Sequence, residues 1–178
     1  MALLVLGYPS ISASDSAWIQ SIRQQHDPQF ELVAPHFTLV FPTDGVEVDE
    51  FSHHVRSQIR GQAPIAFEVR CALVVKDALG AATHTFLVPD QGFSDLVKLH
   101  DRLYSGILAP HLRLDLPFIP HITIAAAHDP AVCKRVAGEI NSQEIIMRGT
   151  ISALDLVRFA NQTVTTLEQL VLGASDHP

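Results

Sequence analysis

An α+β fold of two pseudo-symmetric lobes, with mostly antiparallel sheets facing a central cleft and helices outside, is predicted by three observations. The segment Pro35-His36-Phe37-Thr38-Leu39-Val40 is echoed by Pro120-His121-Ile122-Thr123-Ile124-Ala125. Each copy opens an apolar, β-rich run. Each is followed by a helical pattern and then by two further β-rich runs around a turn, once over residues 35–89 and again over residues 120–172. This order of elements is an internal duplication at low sequence similarity.

The elements follow in order. Residues 2–8 form an apolar run closed by Pro9 and read as a buried strand. Residues 12–25 form a helix, with Ser12 or Ser14 as its cap and Trp18, Ile19 and Ile22 at helical spacing. Residues 35–41 form a strand, stopped by the turn signal Pro42-Thr43-Asp44-Gly45. Phe51, Val55 and Ile59 recur every four residues along a helix over 49–60, ended by Gly61. Runs 65–76 and 83–89 flank Asp77-Ala78-Leu79-Gly80 as a hairpin. Leu96, Leu99, Leu103 and Ile107 mark one face of a helix over 93–107. A proline-punctuated loop precedes a strand over 117–126, and a short helix over 130–140 carries Pro130 near its first position. Runs 145–159 and 164–172 around Asn161 form a second hairpin.

A length of 178 residues suits one bilobal unit spanning residues 1–178. With 47% hydrophobic and 17% charged residues, the composition excludes disorder and coiled coil. A net charge of −7 excludes a broad basic surface gripping long nucleic acid, double-stranded DNA included, but leaves room for a local pocket that takes one phosphate. Cys71 and Cys133 form no CxxC pair, so both read as small buried residues in a reducing compartment. The first seven residues lack a basic signal region, and no apolar run reaches the ~18 residues of a membrane span. A soluble, cytoplasmic monomer is the expectation.

Side chains alternate along a strand, so His36 and Thr38 share one face while Phe37, Leu39 and Phe41 share the other. His121 and Thr123 likewise oppose Ile122 and Ile124. If the halves face each other, two imidazoles and two hydroxyls converge. An imidazole titrates near pH ~6.5, so one ring can take a proton from an attacking hydroxyl or water while the other gives one to the leaving oxygen. Threonine hydroxyls donate hydrogen bonds to the non-bridging phosphate oxygens. Such a set is suited to in-line phosphoryl chemistry without a cofactor or metal. Among the other histidines, His53, His54, His100, His111 and His128 show no metal-ligand spacing with carboxylates and read as solvated or helix-face residues.

The paired His-X-Thr motifs, 85 residues apart, resemble those of the 2H phosphoesterase superfamily, in particular its LigT-like group of 2′-5′ RNA ligases and cyclic phosphodiesterases. The resemblance implies a bilobal, pseudo-symmetric α+β fold with a water-filled cleft. It implies metal-independent cleavage or formation of phosphodiesters, often the opening of cyclic phosphates. It gives His36 and His121 the acid–base roles and Thr38 and Thr123 the phosphate contacts. Basic residues often flank the second motif in members that act on RNA; here Ala125-Ala126-Ala127-His128 follows it. With the acidic net charge, this points to a small cyclic nucleotide or a short RNA terminus. The competing readings are a nucleotide- or RNA-end-binding protein that uses the same cleft without turnover, and 2′-5′ RNA ligase activity. Four further residues are candidates for substrate contact. Tyr8 and Phe118 have rings that can stack on a base, His84 shares a strand face with Phe86, and Arg158 can meet a phosphate. Asp95 and Asp101 read as surface charge.

Overall fold

The computed structural model describes residues 1–78 and 80–173. Nine strands and four α-helices follow the order β1 (Ala2–Gly7), β2 (Ser10–Ile11), α1 (Ala13–His26), β3 (Phe37–Thr43), α2 (Val48–Gln58), β4 (Ile65–Lys76), β5 (Thr83–Gln91), α3 (Phe93–Leu103), β6 (Ile122–Ala127), α4 (Pro130–Asn141), β7 (Met147–Ile151), β8 (Ala153–Ala160) and β9 (Thr163–Val171) among the described residues. They build two antiparallel sheets, β3-β1-β8-β9 and β2-β7-β4-β5-β6. One hydrophobic cluster links them, from Leu3 and Val5 of the first sheet to Phe67 and Val69 of the second, with Ile19, Phe51, Leu99 and Val136 contributed by the four helices.

The duplication is visible in the strand order. Read from the motif strand inward, the sheets run β3-β1-β8 and β6-β5-β4. In chain order the two units are β1-α1-β3-α2-β4 and β5-α3-β6-α4-β8, and the last strand of each unit pairs in the sheet of the other. The repeat is therefore longer than the predicted strand–helix–hairpin unit, and its halves are interlocked.

Local chemistry explains most boundaries. Ser12 caps α1, its hydroxyl accepting from the Asp15 amide at 3.1 Å, and Asp129 caps α4, accepting from Ala131 at 2.9 Å. Gly92 precedes α3 at φ 83°, and a Cβ there would lie 2.4 Å from the Ala66 carbonyl oxygen, so only glycine fits. The helix predicted to reach Ile107 stops at Leu103. Gly106 turns the chain at φ 50°, and a 3₁₀ turn, Gly106–His111, follows.

Three strand expectations are corrected, and one short strand is added. The motif strand β3 runs through Pro42 to Thr43, which its place at a sheet edge permits, because an edge proline forfeits no ladder bond. The strand expected from residue 117 begins only at Ile122. Run 145–159 is two strands: β7 joins the second sheet, and after Ser152 β8 joins the first. The short β2, which pairs with β7, carries too few residues for a periodic signal. The turn of the first hairpin includes Leu79, which lies outside the described residues. No helix among the described residues is long and apolar enough to cross a membrane.

Candidate active site

Both motif strands carry the same irregularity at the same place. Thr38 pairs with Leu6 but Val40 with Val5; Thr123 pairs with Phe86 but Ala125 with Thr85. One extra residue, Leu39 or Ile124, is thus inserted three positions after each histidine, a bulge of the kind that re-aims side chains beside functional sites. The insertion buries two consecutive residues in each strand, Leu39 with Val40 and Ile124 with Ala125. It also moves Phe41 off the core face it was expected to share with Phe37 and Leu39. Phe41 is partly buried, with its ring 6.0 Å from His100 and 6.3 Å from Phe118.

His36 and His121 each stand one residue before their strand. Each ring is anchored to the carbonyl two residues back: His36 Nδ1 lies 2.8 Å from the Ala34 oxygen and His121 Nδ1 lies 2.5 Å from the Ile119 oxygen. A carbonyl oxygen only accepts, so Nδ1–H donates in both rings, and Nε2 is the bare nitrogen when the ring is neutral. Thr38 and Thr123 follow on the same faces, partly buried. The rings differ in their neighbours. Phe86 stacks flat on His121, centroids 3.5 Å apart at 14°, whereas Tyr8 meets His36 edge-on at 6.2 Å.

Burial holds both imidazoles toward the neutral form. It pushes His121 down to about 4, opposed by the Ile119 carbonyl and reinforced by His36 and His84, so both of those rings lie within electrostatic reach of His121. Burial also lowers His36, opposed by Ala34; Arg23 lowers it further, and Asp27 raises it. A buried His100 is lowered by the same desolvation. These shifts make stability pH-dependent with a defined sign. Between the unfolded value of ~6.5 and the lower folded values, the unfolded chain binds more protons, so stability is full above that range and falls as pH drops toward about 4. Urea unfolding is expected to show lower stability at pH 5 than at pH 7, with the difference reduced in His121→Gln. An equal difference in the variant would remove His121 as a contributor.

The remaining candidates separate by register. His84 faces the same side of the second sheet as Phe86, its ring 5.7 Å from that of Phe86 and its Nε2 3.8 Å from an Asp77 oxygen. Tyr8 follows β1 beside His36; burial raises its hydroxyl pKa, and the charge of Asp155 raises it further. Phe118 has one ring face covered by His100, at 3.6 Å and 6°, and packs against the core, so it is not a free stacking surface. Arg158 pairs opposite Leu3, on the core side of the first sheet and away from Thr38 and His36, which leaves the expected phosphate contact without support. His54 and His100, expected as solvated or helix-face residues, turn inward and bond the carbonyls of Leu103 and Leu39 at 2.9 Å. Cys133 is buried as expected, but Cys71 is exposed, paired opposite Val88 on the side of the sheet that carries Phe86. Asp95 and Asp101 are exposed.

Three residues near the site escaped the sequence reading. Arg23 and Asp27 form a buried ion pair beneath the segment that leads to His36. The signal was present, since Ile19, Arg23 and Asp27 continue one helical stripe at four-residue spacing. Asp155 pairs opposite Leu6, its carboxylate accepting from Gln169 at 3.0 Å and Thr166 at 3.3 Å. No motif announces it.

A duplicated α+β fold that presents one His-X-Thr strand end from each half, with the imidazoles in mutual electrostatic reach, is the architecture of a 2H phosphoesterase. The chain matches the model of the 2′-5′ RNA ligase superfamily over residues 11–163, and it belongs to that family. A protein of Bacillus licheniformis that carries the name phosphoesterase is 25% identical over 171 residues, covering 94% of this chain and 96% of the relative. Another of that name, from Geobacillus strain WCH70, is 25% identical and covers 95% of each chain. Among solved structures, TT0787 of Thermus thermophilus superposes with a TM-score of 0.64 at 18% identity, covering 99% of this chain and 100% of its own. Escherichia coli LigT in complex with NADP⁺ superposes at 0.58 and 19% identity, covering 97% and 98%. These superpositions establish the fold.

Proposed function

We propose that this protein is a metal-independent phosphodiesterase that opens 2′,3′-cyclic or related cyclic phosphates of nucleotides or RNA ends by acid–base catalysis with His36 and His121. The observation that carries this reading is the shared anchoring of the two rings. In both, Nδ1–H is committed to a backbone carbonyl, so both Nε2 atoms are left for chemistry. Water attacks phosphorus in line. One neutral Nε2 accepts the water proton, and the other, protonated, donates to the departing ribose oxygen. Thr38 and Thr123 donate to the non-bridging oxygens, where charge accumulates. The charge of His36 opposes protonation of His121, which disfavours a doubly protonated pair, and the anionic phosphate offsets the burial of the rings so that one of them carries the single proton this chemistry needs.

The nucleotide class is supported by LigT, whose structures hold 3′-AMP, ATP and NADP⁺. The net charge of −7 favours a small cyclic nucleotide or a short RNA end over a long strand. The reading has the two halves act as one bilobal unit, a cytoplasmic monomer in which the free thiols Cys71 and Cys133 stay reduced. Incubation with 2′,3′-cyclic nucleotides in excess EDTA, followed by phosphorus NMR, is expected to show conversion to a monophosphate at an undiminished rate. Saturable binding without turnover across cyclic nucleotides and 2′-5′-linked RNAs would establish a binding protein instead. Activity lost in EDTA and restored by a divalent ion would overturn the metal-independent mechanism.

A further inference from the structure

Residues 27–36 contain no strand or helix, yet they must bring the Ala34 carbonyl to the His36 ring. One side chain organises this segment. Arg23, on the last turn of α1 and 2% exposed, donates from Nε to Asp27 Oδ2 at 2.8 Å and from Nη1 to Gln20 Oε1 at 3.2 Å. Its Nη2 donates to the carbonyls of Val33 at 2.7 Å and Gln29 at 3.3 Å. The other oxygen of Asp27 accepts from the Gln29 amide at 2.9 Å, and the Asp27 carbonyl accepts from the Phe30 amide at 3.0 Å. Val33 immediately precedes Ala34. The guanidinium therefore grips the chain one residue before the acceptor that fixes His36.

Folding alone gives little reason for this pair. Removing two charges from water costs several kcal/mol per ion in typical cases, and well-packed apolar replacements of such pairs are often neutral or stabilising. The segment before His121 manages without a buried pair: Phe118 is clamped by His100, and the ion pair there, Arg113–Asp115, is exposed. The same Nδ1–carbonyl anchor is thus reached by two constructions, and only the one at His36 places charges beside the ring.

We propose that Arg23, braced by Asp27, is a positioning residue for His36: it holds the Ala34 carbonyl where it takes Nδ1–H, so that Nε2 is the nitrogen offered to the reacting phosphate. The inference rests on the catalytic reading of His36. The groups that face this ring are Arg23 from α1, Asp27 just after that helix, Tyr8 after β1, and His121 across from it. Arg23 opposes protonation of the ring and Asp27 favours it, so loss of the pair alters both its orientation and its titration.

The test compares the wild type with the double variant Arg23→Met/Asp27→Leu, which removes both buried charges, and with Arg23→Lys, which keeps charge but loses the planar fork. The double variant is expected to remain folded, with a Tm lowered by the loss of the hydrogen bonds to Gln29 and Val33. Its kcat on a 2′,3′-cyclic nucleotide is expected to fall about 10-fold or more, with KM little changed, as displaced catalytic groups do. The limb of the pH profile belonging to His36 moves. Nitrogen-15 NMR shows His36 populating both tautomers, while His121 keeps a bare Nε2. Arg23→Lys shows the same mixture with a smaller loss of kcat. A folded double variant with unchanged kcat and an unchanged His36 tautomer would overturn the proposal. Should the double variant fail to fold, unchanged kcat and tautomer in Arg23→Lys would overturn it equally. Full activity in His36→Ala would instead sink the catalytic reading, and the tautomer measurement would still decide whether Arg23 positions the ring.

Discussion

Replacing either His36 or His121 by alanine is expected to lower turnover of a 2′,3′-cyclic nucleotide by about 10²–10⁴-fold, the usual worth of one general acid or base. On the proposed mechanism the loss falls on kcat, because the residues assigned to the phosphate, Thr38 and Thr123, are left in place. The double replacement should cost little more than either single one, since an acid and a base acting on one displacement form a unit and their deletions do not add. The bell-shaped pH profile expected of the wild type should lose one limb in each single variant. Both rings are partly buried and make one hydrogen bond each to backbone, and His121 also stacks on Phe86, so unfolding midpoints should move far less than the activity. Steady-state rates with 2′,3′-cyclic nucleotides, measured beside urea unfolding curves, decide the matter. Near-wild-type turnover in either alanine variant would end the proposed mechanism.

The contrast between what the chain disclosed and what it withheld has a physical basis. Pro-His-X-Thr is a local pattern, and its recurrence with a following helix and hairpin exposed the duplication, the fold class and the two imidazoles. Register is not local. The bulges at Leu39 and Ile124 exist only through pairing with β1 and β5, and a one-residue insertion re-aims everything after it, which is why Phe41 was misplaced. The same reasoning covers Arg158: alternation could not tell which face of β8 would meet the core. Run 145–159 looked continuous because Ser152, where the chain passes between sheets, is no turn signal. The exchange of β4 and β8 between the two units leaves no trace in composition at all. Arg23 was hidden for another reason. Charged residues are almost never fully buried, so an arginine on an otherwise surface-like helix reads as solvated unless its i+4 partner and the apolar stripe are weighed together.

Phe37→Ala is expected to produce the largest loss of stability, about 3–5 kcal/mol by the usual cost of truncating a buried phenylalanine. Phe37 is fully buried, and its ring meets that of Phe67 edge-to-face at 5.1 Å, a contact that joins the motif strand of the first sheet to β4 of the second. Truncation removes the burial, opens a cavity in a shared core, and forfeits a ring pair worth about 0.5–1.5 kcal/mol beyond area. Against a typical total of ~5–15 kcal/mol, this is a large fraction, and it should appear as a lower urea midpoint at unchanged slope. Phe37→Leu should lose much less, because volume is largely kept. The position gives the experiment its point. Phe37 lies between His36 and Thr38 and faces the other way, so it anchors the strand from which both site residues project. Phe37→Ala should therefore weaken the fold and the site together, whereas His36→Ala removes activity and leaves the fold intact. A loss below about 1 kcal/mol in Phe37→Ala would mean that this strand is held by its ladder with β1 rather than by its core face. The link from core packing to imidazole placement would then have to run through the bulge.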